Sequence, residues 1–278
     1  MEWVRFFCCL ALVLPLVAVP DGALYAQVPF YQGKTITVIV SSDAGGTSDL
    51  RVKSLVPYLQ KYITGNPTIV LEYMPGGGGR KAANHVFRTA KPDGFTIGSM
   101  GTTLLAAAIQ GEAGVLYDIN KFIYLGSSDA TTQHIFSTRQ EIGLTNLKKL
   151  RAASGIRIGA QFIGHNIYIT GRLFAFFLGV KDPKFVVGYS GPEVDLALLR
   201  GEVDARSSLV ASIVQRTPEW VDKGLVNFHA VLETPKGNSH RRSAHLPELE
   251  TFAKSERERK VLALQRATIA GAIGHNTD

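Results

Sequence analysis

Small, hydroxyl and acidic side chains gather in Ser41-Ser42-Asp43-Ala44-Gly45-Gly46-Thr47-Ser48-Asp49. Two adjacent glycines let the backbone approach a bound group, and the hydroxyl or carboxylate residues after them can cap a helix. A helix start presents free N–H groups and the positive end of its dipole, so what this stretch offers is the binding of a small anion rather than bond making. Pro75-Gly76-Gly77-Gly78-Gly79 and Met100-Gly101-Thr102-Thr103 repeat the offer, as do Gly164-His165-Asn166 and Ser190-Gly191 in the second half. A glycine turn by itself needs no ligand. The repetition is what points to one.

Each stretch is placed by the elements around it. Thr35 to Val40 is a β-branched run of strand length, and Val52, Leu55, Val56, Leu59 and Ile63 fall on one face of a helix after it. Pro57 inside that helix removes a backbone donor, at a cost of ~3 kcal/mol if unrelieved. Thr68 to Leu71 and Phe95 to Gly98 read as two more strands, each running into a small-residue loop and a helix. Ile156 to Ala160 and Phe185 to Tyr189 are strands of the second half, followed by helices over Ile169 to Leu178 and from Gly191 to Leu199. The fold class is therefore α/β, and in an open α/β sheet ligands sit outside the carboxyl ends of the strands, where all these loops lie.

Catalytic and cofactor chemistry finds little support. His165 beside Asn166 has no serine or aspartate partner fixed by spacing and reads as a polar residue at a helix start, and His85, His134 and His229 are isolated. Neither His-x-x-x-His nor paired carboxylates at metal-binding spacing occur, and Gly76 to Gly79 lacks the Gly-Lys-Ser/Thr ending of a phosphate loop. Glu202 and Asp204 read as turn residues that serve packing. No metal and no cofactor is expected. The net charge of +7 favours anionic partners, but the basic residues are scattered except at Lys148-Lys149-Leu150-Arg151 and His240-Arg241-Arg242, so nucleic acid is not inferred.

Residues 1–26 read as a secretory signal peptide, with Arg5, an apolar run from Phe6 to Val19 and Ala26 at the expected cut. Both cysteines, Cys8 and Cys9, lie inside it, which leaves the mature chain without thiols. The expectation is a soluble, monomeric protein exported to the periplasm. Hydrophobic content of 45% with 19% charged residues describes a globular chain.

Lys34 to Met100 resembles the amino-terminal half of the Bug (TctC) family, the extracytoplasmic solute receptors of tripartite tricarboxylate transporters. The matching pieces are Ala44 to Asp49 after its strand, Met74 to Gly79, and Ala90-Lys91-Pro92-Asp93-Gly94; Gly188-Tyr189 and Arg200-Gly201-Glu202-Val203-Asp204 extend the likeness to about Leu232. Tyr73 stands where the family usually has asparagine and Lys53 where arginine is common, and the sequence after Ala263 departs from the family's ending, as in a shortened member whose first lobe is incomplete.

The resemblance implies a two-lobed periplasmic-binding-protein fold of type II, with a small carboxylate in the interlobe cleft and the permease subunits of a tripartite transporter as membrane partner. A sensor feeding a membrane kinase and an exported carboxylate-processing enzyme are the alternatives. Lobe one is expected over 27–128 plus 229–278 and lobe two over 129–228, with crossings near Ser127 to Thr132 and Phe228 to Glu233. The expected ligand-binding residues are Ala44, Gly45, Gly46, Thr47, Ser48, Asp49, Gly77, Gly78, Gly101, Thr102, Gly164, His165, Asn166, Tyr189 and Gly191. Thr47 and Gly78 should face Tyr189 across the cleft, and specificity is expected from Phe30, Tyr31, Thr102, Gln161, His165 and Tyr189. With no basic residue in the Gly45 to Asp49 loop, backbone N–H groups rather than an arginine are expected to anchor the carboxylate.

Overall fold

The computed structural model describes residues 28–101, 103–127 and 131–270. The proposed leader, Thr102, part of the first expected crossing and the divergent ending from Gly271 lie outside them.

β1 (Thr35–Val40) is the centre of a parallel sheet with order β2-β1-β3, flanked by β2 (Thr68–Tyr73) and β3 (Thr96–Ser99). Ile36, Val38, Ile39 and Val40 are buried and lie on both faces, as a central parallel strand requires. α1 (Thr47–Tyr62) follows β1 and continues through Pro57, with Val52 and Val56 packed on Val38 and Val40. α2 (Arg80–Arg88) follows the glycine loop, and α3 (Thr103–Ile109) follows β3. Ala83, Leu104 and Tyr117 form a small satellite core there.

The chain enters a second sheet at β4 (Thr132–Arg139). After α4 (Leu147–Ala152) come β5 (Arg157–Gly159), α5 (Asn166–Leu178), β6 (Lys184–Val186), α6 (Gly191–Leu199), β7 (Ala205–Leu209), α7 (Val210–Arg216), α8 (Glu219–Asp222) and β8 (Val226–Thr234). The sheet order is β6-β5-β7-β4-β8; β5 runs parallel to β6 and β7, while β4 runs antiparallel to β7 and β8. α5 stops at Leu178 because Gly179 adopts the left-handed conformation (φ 73°) and its N–H caps the last turn. Phe136, Leu150, Ile158, Phe174 and Leu178 fill one face of this sheet; Ile135, Val194, Leu198, Val203 and Trp220 fill the other.

The expected return to the first lobe near Phe228 to Glu233 does not occur there. β8 stays paired with β4 from Arg139↔Val226 to Thr132↔Thr234. The chain beyond it packs on the five-stranded sheet rather than on the three-stranded one. Leu249 and Leu262, the latter on α9 (Glu256–Ala270), are fully buried in the core with Phe136 and Phe174. The physical reason is the uncovered apolar face of β4 and β8, which α9 and the turn at Leu249 bury. Arg266 fastens the arrangement: Nε donates to Glu233 O at 2.9 Å, Nη1 to Glu250 at 2.6 Å and Nη2 to Glu248 at 2.7 Å.

Replacing Arg266 by Ala leaves the mostly buried Glu248 without its cation and Glu250 with Lys236 alone, and should destabilise the fold by about 3 kcal/mol. The shift of the urea midpoint measures it; an unchanged midpoint would show that α9 does not support the sheet.

Candidate functional site

Parallel pairing brings the loops together. Val40 is level with Tyr73 and Ser99, and Gly159 is level with Val186 and Arg206, so the carboxyl ends of three strands in each sheet open side by side. From the first sheet emerge Ser41 to Gly46, Met74 to Gly79 and the stretch up to Gly101; from the second emerge Gln161 to His165, Val187 to Ser190 and the turn into α7.

The first loop is braced from within. Asp49 is completely buried and its carboxylate accepts from the Gly45 N–H at 2.6 Å, from Lys53 Nζ at 2.8 Å and from the Tyr73 hydroxyl at 2.6 Å. Burial alone would raise the Asp49 carboxyl, but those hydrogen bonds outweigh it and hold it below the usual carboxylate range. Tyr73 and Lys53, the two departures noted in the sequence, thus converge on the residue that folds the loop back. Asp49 has no acceptor capacity turned to a ligand, and the Gly45 N–H is already donated. Gly46 is the residue preceding α1, and it caps with no side chain.

In the second half, His165 caps α5 by accepting the Ile167 N–H at Nδ1, 3.1 Å. Burial first, then the Arg206 guanidinium, pushes its pKa down to about 4, so it is neutral at pH 7. Asn166 turns the other way: its Nδ2 lies 3.2 Å from His134 Nε2, and its Oδ1 accepts from Gln265 on α9 at 2.7 Å. Ser190 and Glu193 form a capping box that opens α6 at Gly191.

The lobes meet where these loops face each other. Thr47 Oγ1 lies 2.5 Å from Ser212 Oγ and accepts from Arg216 Nη1 at 2.7 Å. Arg216 also donates through Nε and Nη2 to Asp195, at 3.2 and 2.6 Å. The same carboxylate takes Nη1 of Arg206, which is 2% exposed and donates its Nε to Ser207 O. Burial lowers Arg206 to about 10, which still leaves it protonated at neutral pH. Two guanidiniums around one carboxylate leave one positive charge in excess. Gly191 sits against this cluster, where a Cβ would lie 3.7 Å from Arg216 Nη1 and 3.9 Å from Gln161 Nε2. On the other side of the contact, a Cβ on Gly78 (φ 69°) would come within 3.0 Å of the Phe162 ring, and Gly78 O accepts from Thr103 at 2.8 Å. The Arg80–Glu112 ion pair and Gly164 complete that edge.

A cavity of about 280 Å³ lies between the lobes one turn further along α1, lined by Arg51, Leu55, Gln133 and Gln215 among others. It contains none of the expected loop residues. The site is assigned to the loops because helix starts, glycines and excess charge coincide there.

Several expectations are revised by this geometry. Tyr189 is half-buried and packs in part against the apolar cluster that holds Val194 and Val203, and the residues that meet Thr47 and Gly78 across the contact are Arg216 with Ser212 and Phe162. Phe30 stacks on Phe95 and Tyr31 meets it edge-on at the amino-terminal end of the first sheet, with the Tyr31 hydroxyl 3.3 Å from Gly94 O, far from the strand ends that carry the loops. Asp49 and Asn166 belong to the framework. Ala44, Gly77 and Gly101 are exposed loop positions, and Ser48 lies in the first turn of α1. Arg206, Arg216, Asp195 and Ser212 were not singled out from the sequence, although an arginine followed by Ser-Ser in a strand otherwise built for burial is a readable anomaly.

No family model matches the sequence, and no curated protein matches it. Solved structures do. The periplasmic binding protein BugD aligns over 86% of this chain and 83% of its own at 19% identity, TM-score 0.61. MatC from Rhodopseudomonas palustris with bound malate covers 87% and 85% at 19% identity, TM-score 0.57. An R. palustris protein with adipate covers 86% and 83% at 16% identity, TM-score 0.58. These likenesses establish the fold, two α/β lobes of the periplasmic-binding-protein kind.

Two tests follow from the site. Tyr73→Phe removes a hydrogen bond to a buried carboxylate and should cost about 1.5–3 kcal/mol in a urea titration; no loss would show that Asp49 does not depend on it. Burial lowers His134 to about 3 and His229 to about 4, alongside His165, so between pH 6.5 and those values the unfolded chain binds more protons than the folded one. Stability should therefore fall as pH drops from about 6.5 toward 4, and His229→Gln should flatten that slope in melting curves; an unaltered slope would exclude His229 as a contributor.

Proposed function

We propose that the chain is an exported solute receptor that captures a small carboxylate between its lobes and delivers it to the permease of a tripartite tricarboxylate-type transporter. It acts as a monomer in the periplasm, without metal or cofactor, and it binds rather than converts its ligand. The observation that carries the reading is the meeting of glycine loops and helix starts from both sheets around a cluster with excess positive charge. Malate and adipate in two proteins of the same fold support a carboxylate as the ligand class. Residues 1–26 support export. The moving bodies are residues 28–127 and 131–270, the second including α9. His165, neutral and occupied as a helix cap, is a neutral donor at the cleft and not a base for catalysis.

Malate, adipate, succinate and citrate, each tested by calorimetry and thermal melting, provide the check. An acid present at 100 times its dissociation constant should stabilise the fold by about 2.7 kcal/mol, with or without a chelator. A requirement for a divalent metal, or a response to nucleotides alone, would overturn the reading.

A further inference from the structure

The amides of a helix start accept any anion, so they do not explain how this cleft would choose one. The cluster on the second lobe can. Arg206 and Arg216 share the single carboxylate of Asp195, and all three side chains are withdrawn from solvent, at 2%, 12% and 8% exposure. A cation buried without its counter-charge is costly, and the cost is lifted when an anion arrives. Arg206 is enclosed by Asp195, Gly191 O and Ser207 O and supplies charge from behind. Arg216 stands in front. A guanidinium has five N–H donors; three of Arg216's go to Asp195 and Thr47, and the others remain for a ligand.

A second observation points to the same place. Ser208 follows Arg206 by two residues in β7, so both lie on one face of the strand, and Ser208 is one step nearer the cleft. Ser208 is 2% exposed and its hydroxyl has no partner among the described residues, and neither has the buried Oε1 of Gln161, whose Nε2 lies beside Gly191 and Arg216. Gln161 and Ser208 each lie two residues beyond the paired Gly159 and Arg206, so two orphaned polar atoms stand at the carboxyl ends of neighbouring strands, beside a cluster with one positive charge in excess.

We propose that Arg216, backed by the charge of Arg206, is the specificity-determining residue of the cleft: it takes a carboxylate of the ligand directly, with Ser208 and Gln161 as its neutral neighbours. This deepens the carboxylate-receptor reading and rests on it. Because Thr47 of the opposite lobe holds the same guanidinium, the group is fully oriented only when the lobes are together, which couples ligand choice to closure. A planar fork also matches a carboxylate with two parallel N–H bonds, which a lysine cannot do.

Calorimetry on the whole chain with malate and adipate, and with their uncharged diamides, tests the assignment. The parent should bind one or both acids and the diamides at least about 100-fold more weakly; Arg216→Gln should weaken the acid by about 10- to 100-fold, and Arg216→Lys by less. Circular dichroism reports whether each variant folds, and Arg216→Lys keeps the cluster's charge should the neutral variant unfold. If the parent binds an acid that Arg216→Gln and Arg216→Lys bind equally well, or if the diamides bind like the acids, Arg216 does not select the ligand although the receptor reading stands. If the parent binds neither these acids nor succinate and citrate, the receptor reading itself falls and this assignment with it.

Discussion

Two guanidiniums facing one carboxylate set the terms on which the halves of this molecule can meet. Asp195 cannot neutralise both Arg206 and Arg216, and the surplus belongs to the pair, of which Arg216 reaches across the cleft to Thr47. The lobes therefore touch at this point through a polar, positively charged contact, with a small apolar one where Phe162 meets Gly78. Such a contact is reversible: it is made of hydrogen bonds that water can replace, unlike the permanent seam that a hydrophobic interface would produce.

The two lobes support that contact with different strengths. The second has apolar cores on both faces of its sheet, sealed by α9 and by the Arg266 bridge to Glu248 and Glu250. The first rests on smaller clusters and relies on a local device, the Asp49 carboxylate, to keep its glycine loop folded back on α1. Lys53 and Tyr73 are the means by which that carboxylate stays ionised while buried. A loop rich in glycine has much conformational freedom to lose, so fixing it in advance lowers the cost of ordering it around a ligand.

Much of the fold was legible in the sequence because it depends on local patterning. The β-branched run at Thr35–Val40, the glycine loops and the helices after them gave the strand-loop-helix units, and parallel pairing then delivers the loops to one edge without further information. The site was legible only as backbone. Gly45, Thr47, Gly78 and Gly164 do approach residues of the other lobe, whereas side-chain direction was not readable: Asn166 turns toward α9, because that contact comes from a residue distant in the chain. The fate of the carboxyl-terminal region was missed for the same reason. Leu249 and Leu262 look like ordinary helix and turn residues until the uncovered face of β4 and β8 is known.

Closure is the physical signature of capture between lobes, because neither sheet's loops alone surround a ligand. Small-angle scattering of the whole chain, with and without an acid shown separately to bind, measures it directly. The radius of gyration should be smaller at saturation; an unchanged radius with binding confirmed would rule out capture by closure.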